Sequence, residues 1–308
     1  MDEKIIKIPN FKLNVFRKLL EQSLITDNQL MLQVSSEMIQ SCSFSMSKTF
    51  MKLWTIPLNN LIIVEDEDVI EFEPGETKKA EKLDFPVFNF YILKGDLFKK
   101  YLSVHNTDMA DIEFVLHKNG DKYQAANITI SGKSENNSPL TTTFTLTTED
   151  LITNKIDDYS SIIDECTPNK NSSEFVLTDA QIQEVKRLIK NLHKSSSDNT
   201  AFLTFTITKD KIIVNDKVFN ITFPNSDKEN VKEFQFNILK SDFVMIGNHS
   251  FTIFTNEDDQ KVIFGAHFAS SVIWCLSSKI NENSIDLDDS NLDAAIDSLN
   301  LAEYGIDF

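Results

Sequence analysis

The sequence has few cysteines and no long apolar segment. Its three cysteines, Cys42, Cys166 and Cys275, are far apart and form no C-x-x-C pair. A disulfide framework and a cysteine zinc site are therefore not expected, and a reducing cytoplasm fits best. Nowhere do about 18 apolar residues follow one another, and the first residues lack the pattern of a signal peptide. We expect a soluble protein that is neither secreted nor inserted in a membrane.

Sequence motifs of catalysis are also missing. The 7 glycines form no phosphate-binding loop, the 5 histidines have no metal-ligand spacing, and no G-x-S-x-G segment occurs. The sequence therefore predicts no metal, no cofactor and no enzyme activity. A hydrolase would need a concave cluster of carboxylates or histidines, which the sequence does not indicate. A binding protein is the favoured class.

Basic residues are outnumbered, with 30 Lys and Arg against 47 Asp and Glu and a formal net charge of -17. Such a balance disfavours contact with nucleic acid unless the charges are segregated. Segregation is indicated, because the chain from residue 280 onward has eight acidic residues and no basic one. A second acidic run, Glu65 to Asp68, falls in an apparent loop. A basic surface elsewhere is compatible with this distribution.

An internal repeat is the most informative feature of the chain. The pattern F-x-F-x-I-L-K-x-D begins at Phe88 and again at Phe234. Each copy predicts a strand with two aromatic rings on one face, followed by a helix whose first turn contains the aspartate. Chance recurrence of ordinary strand-to-helix sequence is the alternative, but the order of the surrounding segments repeats as well.

The repeat predicts an α+β protein with two similar halves built on antiparallel sheets. Helices are expected to open near Phe11 and near Phe175, each followed by alternating strands and then by one copy of the repeat. The predicted domains are residues 1–150 and 175–281, separated by a connector at 151–174 and followed by an acidic tail at 282–308. A polar insertion is expected at about 65–82.

The basic residues of the predicted helices gather on their polar faces. At about 100° per residue, the helix from Thr178 to Lys194 places Ile182, Val185 and Ile189 on one face and its basic residues on the other. Thr178 and Gln181 have capping-box spacing. The helix from Lys94 to Leu102 is expected to bury Leu97, Phe98, Tyr101 and Leu102. The candidate residues of this cationic surface are Arg17, Lys18, Lys99, Lys100, Lys186, Arg187, Lys190 and Lys194.

A solvated polar face is the ordinary explanation of such residues. In so acidic a chain, however, a basic helix face indicates a surface for a polyanion. Since no base-reading motif is present, we expect binding to phosphates without sequence specificity.

The repeated units, the F-x-F-x-I-L-K-x-D segments and the basic helices on an acidic body together resemble the sliding clamps of DNA polymerase. The phage type, similar to proliferating cell nuclear antigen, matches best, over roughly residues 5–281. The resemblance implies a homotrimeric ring with sheets outside and helices lining the hole, which encircles duplex DNA and tethers DNA polymerase. It also implies a clamp loader, late-transcription factors as further partners, and a place in the cytoplasm of an infected bacterial host.

The acidic tail predicts a short helix from Ser290 to Asn300 with an apolar stripe. We expect it to dock on a clamp pocket or on a partner; a disordered solubilising tail is the alternative. The docking residues would be Leu292, Ile296, Leu299, Tyr304, Ile306 and Phe308.

The rival function for the whole chain is a phage transcription accessory protein that binds RNA polymerase without forming a clamp.

Overall fold

The chain folds into sixteen strands and five α-helices within the part that the computed structural model describes, residues 3–63, 84–156, 158–193, 201–225, 233–268 and 270–280. The first half contains β1 (Glu3–Lys12), α1 (Leu13–Leu24), β2 (Leu30–Val34), β3 (Met38–Phe44), β4 (Phe50–Pro57), β5 (Phe88–Ile92), α2 (Gly95–Ser103), β6 (Met109–Asn119), β7 (Lys122–Lys133) and β8 (Pro139–Thr145). The predicted insertion at about 65–82 lies outside the described residues.

A connector and a second half follow. The connector includes α3 (Tyr159–Glu165), a helix that the sequence pattern does not predict. Its N-cap is Asp158, whose carboxylate accepts a hydrogen bond from the N–H of Ser160 at 2.9 Å. The second half contains β9 (Ser173–Leu177), α4 (Asp179–His193), β10 (Phe202–Ile207), β11 (Lys211–Asn215), β12 (Asn220–Pro224), β13 (Phe234–Leu239), α5 (Lys240–Met245), β14 (Phe251–Thr255), β15 (Lys261–Phe268) and β16 (Ser271–Ser278).

Each half repeats one unit twice: a strand, a helix and three further strands. In the first half the strand orders are β1-β6-β7-β8 and β5-β2-β3-β4, and in the second they are β9-β14-β15-β16 and β13-β10-β11-β12. The opening strand of each unit thus pairs with the other unit of its half. This interleaved α+β arrangement confirms the two similar halves predicted from the repeat, whereas the domain limits stay predictions.

The two halves are joined edge to edge by β4 and β16, which pair antiparallel from Phe50↔Ser277 to Thr55↔Val272. Nearly all the pairing is antiparallel, as expected. The exception is a short parallel contact between β5 and β7 at Phe88↔Tyr123 and Asn89↔Gln124, which links the two sheets of the first half.

The helices and the connector cover opposite faces of the sheet. Along β2, Leu30 and Leu32 belong to the core beneath α1, whereas Met31 belongs to a second cluster beneath the connector. Alternation of side chains along a strand produces this separation. The connector is held by Tyr159, whose hydroxyl donates to the backbone oxygen of Met31 at 3.0 Å.

The start of α4 follows the predicted capping box. The N–H of Thr178 donates to Oε1 of Gln181 at 2.8 Å, and the N–H of Gln181 donates to Oγ1 of Thr178 at 3.3 Å. In α2, by contrast, the prediction that Leu97 is buried is wrong, because this side chain is 53% exposed. Gly95, Phe98 and Leu102 form the buried face instead.

Candidate nucleic-acid interface

The predicted basic residues that the structure describes lie on α1, α2 and α4, which cover the face of the sheet opposite the connector. On α1 only Lys18 is exposed. The half-buried guanidinium of Arg17 donates from Nη2 to the backbone oxygen of His105, 2.5 Å away. Burial lowers the pKa of Arg17, while the charges of Asp108 and Glu21 raise it. Arg17 therefore anchors the segment after α2, and Lys18 carries the exposed charge.

On α2 both Lys99 and Lys100 project into solvent. The Nζ of Lys99 lies 2.9 Å from Oε1 of Glu21 on α1, in an ion pair whose two side chains are about equally exposed. Such a pair contributes little to stability, but its carboxylate offsets part of the positive charge. Lys100 is in the last turn of α2, where a cation also complements the partial negative charge of the helix end.

On α4 the prediction that Lys186 presents its charge to solvent is wrong. Its side chain is 4% exposed, and Nζ donates to the backbone oxygen of Gly247 at 2.6 Å and to Oδ1 of Asn248 at 3.0 Å. The physical reason is the helical repeat: Lys186 lies four residues after Ile182 and three before Ile189, both of which are buried. This spacing is the signal in the sequence that the helix-face prediction overlooks.

The remaining basic residues of α4 are less isolated from acids than predicted. Arg187 is exposed, and its Nη2 lies 2.7 Å from Oε1 of Glu184. Hydrogen bonding by that carboxylate raises the pKa of Arg187 and lowers the pKa of Glu184. Lys190 is partly exposed, and Lys194 lies outside the described residues.

Helix α5, on the same face of the sheet, contributes no exposed cation, since Lys240 is 1% exposed. Its Nζ forms a buried ion pair with Oδ2 of Asp216 at 2.6 Å. The candidate interface is therefore uneven: Lys18, Lys99, Lys100, Arg187 and Lys190 reach solvent from α1, α2 and α4. The predicted docking residues of the tail, Leu292, Ile296, Leu299, Tyr304, Ile306 and Phe308, lie outside the described residues.

Among the described residues, β1, β8, β9, β12 and β13 pair with a neighbouring strand on one side only. Of these, β8 and β12 are the last strands of their units, as β4 and β16 are of theirs. The N–H of Leu146 donates to the oxygen of Ala126 on β7 at 2.8 Å, so the alternation of a strand points the N–H of Thr143 away from β7. On β12 the N–H of Asn225 donates to the oxygen of Asp210 at 2.9 Å. Pro224 is adjacent and has no N–H, which suits an edge strand.

Four strand-helix-strand units in two similar halves, joined edge to edge with helices on one face, define a PCNA-like sliding-clamp fold. The chain is similar to the crystal structure of Proliferating Cellular Nuclear Antigen from Entamoeba histolytica, with a TM-score of 0.63 and 10% sequence identity, over 90% of this chain and 98% of that chain. No protein-family model and no curated protein sequence matches the chain. The similarity establishes the fold and confirms the clamp resemblance, while the phage type stays a prediction.

Two kinds of feature are absent from the part of the chain that the structure describes. Among the described residues, no helix is both long enough and apolar enough to cross a bilayer. Within the same residues, no three His, Cys, Asp or Glu side chains gather at a spacing that could hold a metal ion.

Proposed function

We propose that the protein is a sliding clamp that encircles duplex DNA as a homotrimeric ring and tethers DNA polymerase for processive replication. The observation that carries the proposal is the correspondence between the β4–β16 contact and the free edges of β8 and β12. β16 ends the second half as β8 ends the first, and β12 occupies in the second half the position of β4 in the first. Pairing of β12 in one subunit with β8 in the next would therefore repeat the contact that already joins the halves.

This contact is heterologous, so repeating it in one direction leads either to a closed ring or to an open filament. Closure after three subunits is what the resemblance to sliding clamps implies. Six similar domains would then follow one another around the ring, alternately joined by β4–β16 and by β12–β8 pairing.

The exposure of α2 supports the same assembly. Leu93 and Leu97, beside and within α2, are 40% and 53% exposed, whereas their counterparts in the repeat, Leu239 and Phe243, are 5% and 0% exposed. The α5 region is covered partly by the first half, since Thr49 donates from Oγ1 to Oδ1 of Asp242 at 3.0 Å. In the proposed ring the next subunit would cover α2 in the corresponding way.

The DNA-facing surface would be the helix face with Lys18, Lys99, Lys100, Arg187 and Lys190, joined by Lys194 and by the partly buried Arg17. Because a closed ring is linked to DNA topologically, these contacts need only be weak, and screened phosphate contacts permit sliding. A polymerase bound to the ring would meet its template at high effective concentration. The role is that of a non-catalytic scaffold, loaded by a clamp loader and available to late-transcription factors.

Topological linkage provides the direct test. Native mass spectrometry should show three copies of the chain, and protein assembled on nicked circular DNA should stay bound in high salt until the DNA is cut open. A protein that binds DNA phosphates without forming a ring would be released by salt equally from the circular DNA and from the linearised DNA. A chain that stays monomeric at every concentration would favour the transcription-accessory alternative.

The subunit contact can be tested separately at Thr143. Proline at this position removes an N–H that points away from β7, so the β7–β8 pairing within the subunit should be retained. We expect Thr143→Pro to raise the dissociation constant of the trimer about tenfold or more, because one intersubunit hydrogen bond cannot form and the strand is distorted.

The control is Thr143→Val, which also lacks the hydroxyl bonded to Thr129 but keeps the N–H. Sedimentation equilibrium measures both variants. Equal trimer stability of Thr143→Pro, Thr143→Val and the unchanged protein would exclude β8 as the assembly edge.

A further inference from the structure

The contact between the two halves contains two buried lysines, one from each half. Lys52 on β4 is 0% exposed, and its Nζ donates to the backbone oxygen of Gln22 at 3.1 Å. Lys186 on α4 donates to the backbone oxygen of Gly247 at 2.6 Å. Gln22 is in the last turn of α1 and Gly247 follows α5. Each amino group therefore donates to one backbone carbonyl oxygen, within the last turn of α1 for Lys52 and just after α5 for Lys186.

These two helix ends touch each other across the junction. A Cβ atom at Gly247 would lie 3.0 Å from Oε1 of Gln22, and the φ of +98° at Gly247 belongs to a region that favours glycine. The amino groups that cap the two ends are consequently close enough to interact. Burial, and then the charge of Lys52, lower the pKa of Lys186 to about 7.

The surroundings of the two lysines provide little compensating negative charge. Burial lowers the pKa of Lys52 to about 8, and Cys275 on β16 acts in the opposite direction. Asp179 on α4 favours the charged form of Lys186, as does Cys275. His249 also faces the pair, and its pKa is lowered by burial and then by Lys52. Among the described residues, neither Lys52 nor Lys186 forms an ion pair with a carboxylate.

We propose that this lysine pair makes the junction between the two halves responsive to pH: proton uptake by Lys52 and Lys186 loosens the contact, and proton loss tightens it. The inference goes beyond the proposed function and does not depend on ring formation. It concerns the β4–β16 contact within one chain, because both lysines and the carbonyl oxygens that they bind lie there.

The direction of the effect follows from proton linkage. A lysine released from the junction has a pKa of about 10.4, above the value that it has when buried. Between about pH 7 and pH 10 the opened junction therefore binds protons that the closed junction does not bind. The closed form is favoured as the pH rises through this window, and its advantage disappears as the pH falls to about 7.

Hydrogen exchange of backbone amides, corrected for the intrinsic pH dependence of exchange, measures this opening in the full chain. Between about pH 9 and pH 7 we expect protection of the amides paired between β4 and β16 to fall about tenfold or more, because one extra proton changes an opening constant tenfold per pH unit. Protection of the amides paired between β6 and β7, far from the lysines, should change less than about twofold.

Substitution of either lysine sharpens the test. Lys186→Met should remove about half of the pH-dependent change in the logarithm of the protection factor at β4–β16, since one of the two titrating groups is gone. Lys52→Met should do the same, and Lys118→Met, at an exposed site on β6, should behave like the unchanged protein. Parallel pH profiles at β4–β16 and β6–β7 in the unchanged protein would overturn the proposal, whether or not the variants fold.

Discussion

The two copies of F-x-F-x-I-L-K-x-D have nearly the same sequence but different surroundings. In the first copy Lys94 and Asp96 are exposed to solvent. In the second copy the equivalent Lys240 and Asp242 are 1% and 0% exposed, and all other residues of α5 are buried as well. The phenylalanines of the motif are buried in both copies. The strand and helix start are thus specified locally, whereas the environment of the charged residues is not.

The difference arises because the second copy lies at the contact between the halves. Asp242 accepts hydrogen bonds from Thr49 in the first half and from Ser277 on β16, at 3.0 Å each. Lys240 is enclosed with Asp216, at the turn between β11 and β12. The first copy has no such neighbour within the described chain, and in the proposed ring a second subunit would fill that position. Charge substitutions at equivalent sites should therefore have unequal effects.

The largest difference is expected between Lys240→Ala and Lys94→Ala. Removal of the Lys240 amino group leaves the buried carboxylate of Asp216 without its positive charge, although the N–H groups of Val218 and Phe219 still donate to Oδ1. Breaking a buried pair in this way costs about 3–5 kcal/mol. Lys94→Ala, on an exposed side chain, should change the free energy of unfolding by less than about 0.5 kcal/mol. Urea denaturation of both variants makes the comparison. Equal destabilisation by the two substitutions would mean that the lysine's contribution to the free energy of unfolding depends on its place in the repeated motif, and not on burial at the contact between the halves.

A smaller and pH-dependent difference is expected between Asp242→Asn and Asp96→Asn. Burial raises the pKa of Asp242 to about 7, and the hydrogen bonds from Ser277 and Thr49 only partly oppose this. Because the folded-state pKa exceeds the unfolded value, the stability from protonated Asp242 is complete below about pH 4 and is lost as the pH rises to about 7.

Asp242→Asn should remove that pH dependence, which is about 1.4 kcal/mol per pH unit in the steep part of the window. Asp96→Asn serves as the matched control and should leave the pH profile of unfolding unchanged. A profile that is the same in all three proteins would show that Asp242 stays ionised in the folded chain.

Sequence patterns are sufficient for the elements with strong periodicity. They predict the strand and the following helix at each copy of the repeat, which are β5 with α2 and β13 with α5, and Thr178 and Gln181 predict the capping box of α4. They do not predict the buried surroundings of charged residues within a strand. In β4, Lys52 interrupts an apolar run and is buried only because a helix end in the same half supplies a carbonyl oxygen. Such a partner is remote in sequence and leaves no local pattern.

The candidate site is predicted less completely than the fold. A helical projection separates polar from apolar residues, but it does not reveal that a lysine such as Lys186 has hydrogen-bond acceptors within the core. Nor does it reveal acids on neighbouring helices, such as Glu21 beside Lys99. Lys18 and Lys100 are exposed on the helix face, and their exposure follows from helix phase.

The smallest effect is expected for substitution of these exposed cations, because each one contributes a single screened phosphate contact to DNA binding. The comparison is again between α2, which has exposed lysines, and α5, which has none. Lys100→Ala and Lys18→Ala should each weaken binding of duplex DNA modestly, and should reduce the slope of log K against log salt by about 0.9 for each phosphate that the variant no longer neutralises. Lys261→Ala is the matched control: Lys261 pairs with Glu165 of α3, on the sheet face opposite the helices, and its ion pair is exposed.

Fluorescence anisotropy with labelled duplex DNA over a range of salt concentrations measures the three slopes. A lower slope for Lys100→Ala and Lys18→Ala but not for Lys261→Ala would assign the phosphates to the helix face. If Lys261→Ala lowers the slope as much as the other two, DNA does not distinguish the faces of the sheet. The difference in charge between α2 and α5 would then have no role in DNA binding, and would reflect only which of the two helices is covered within one chain.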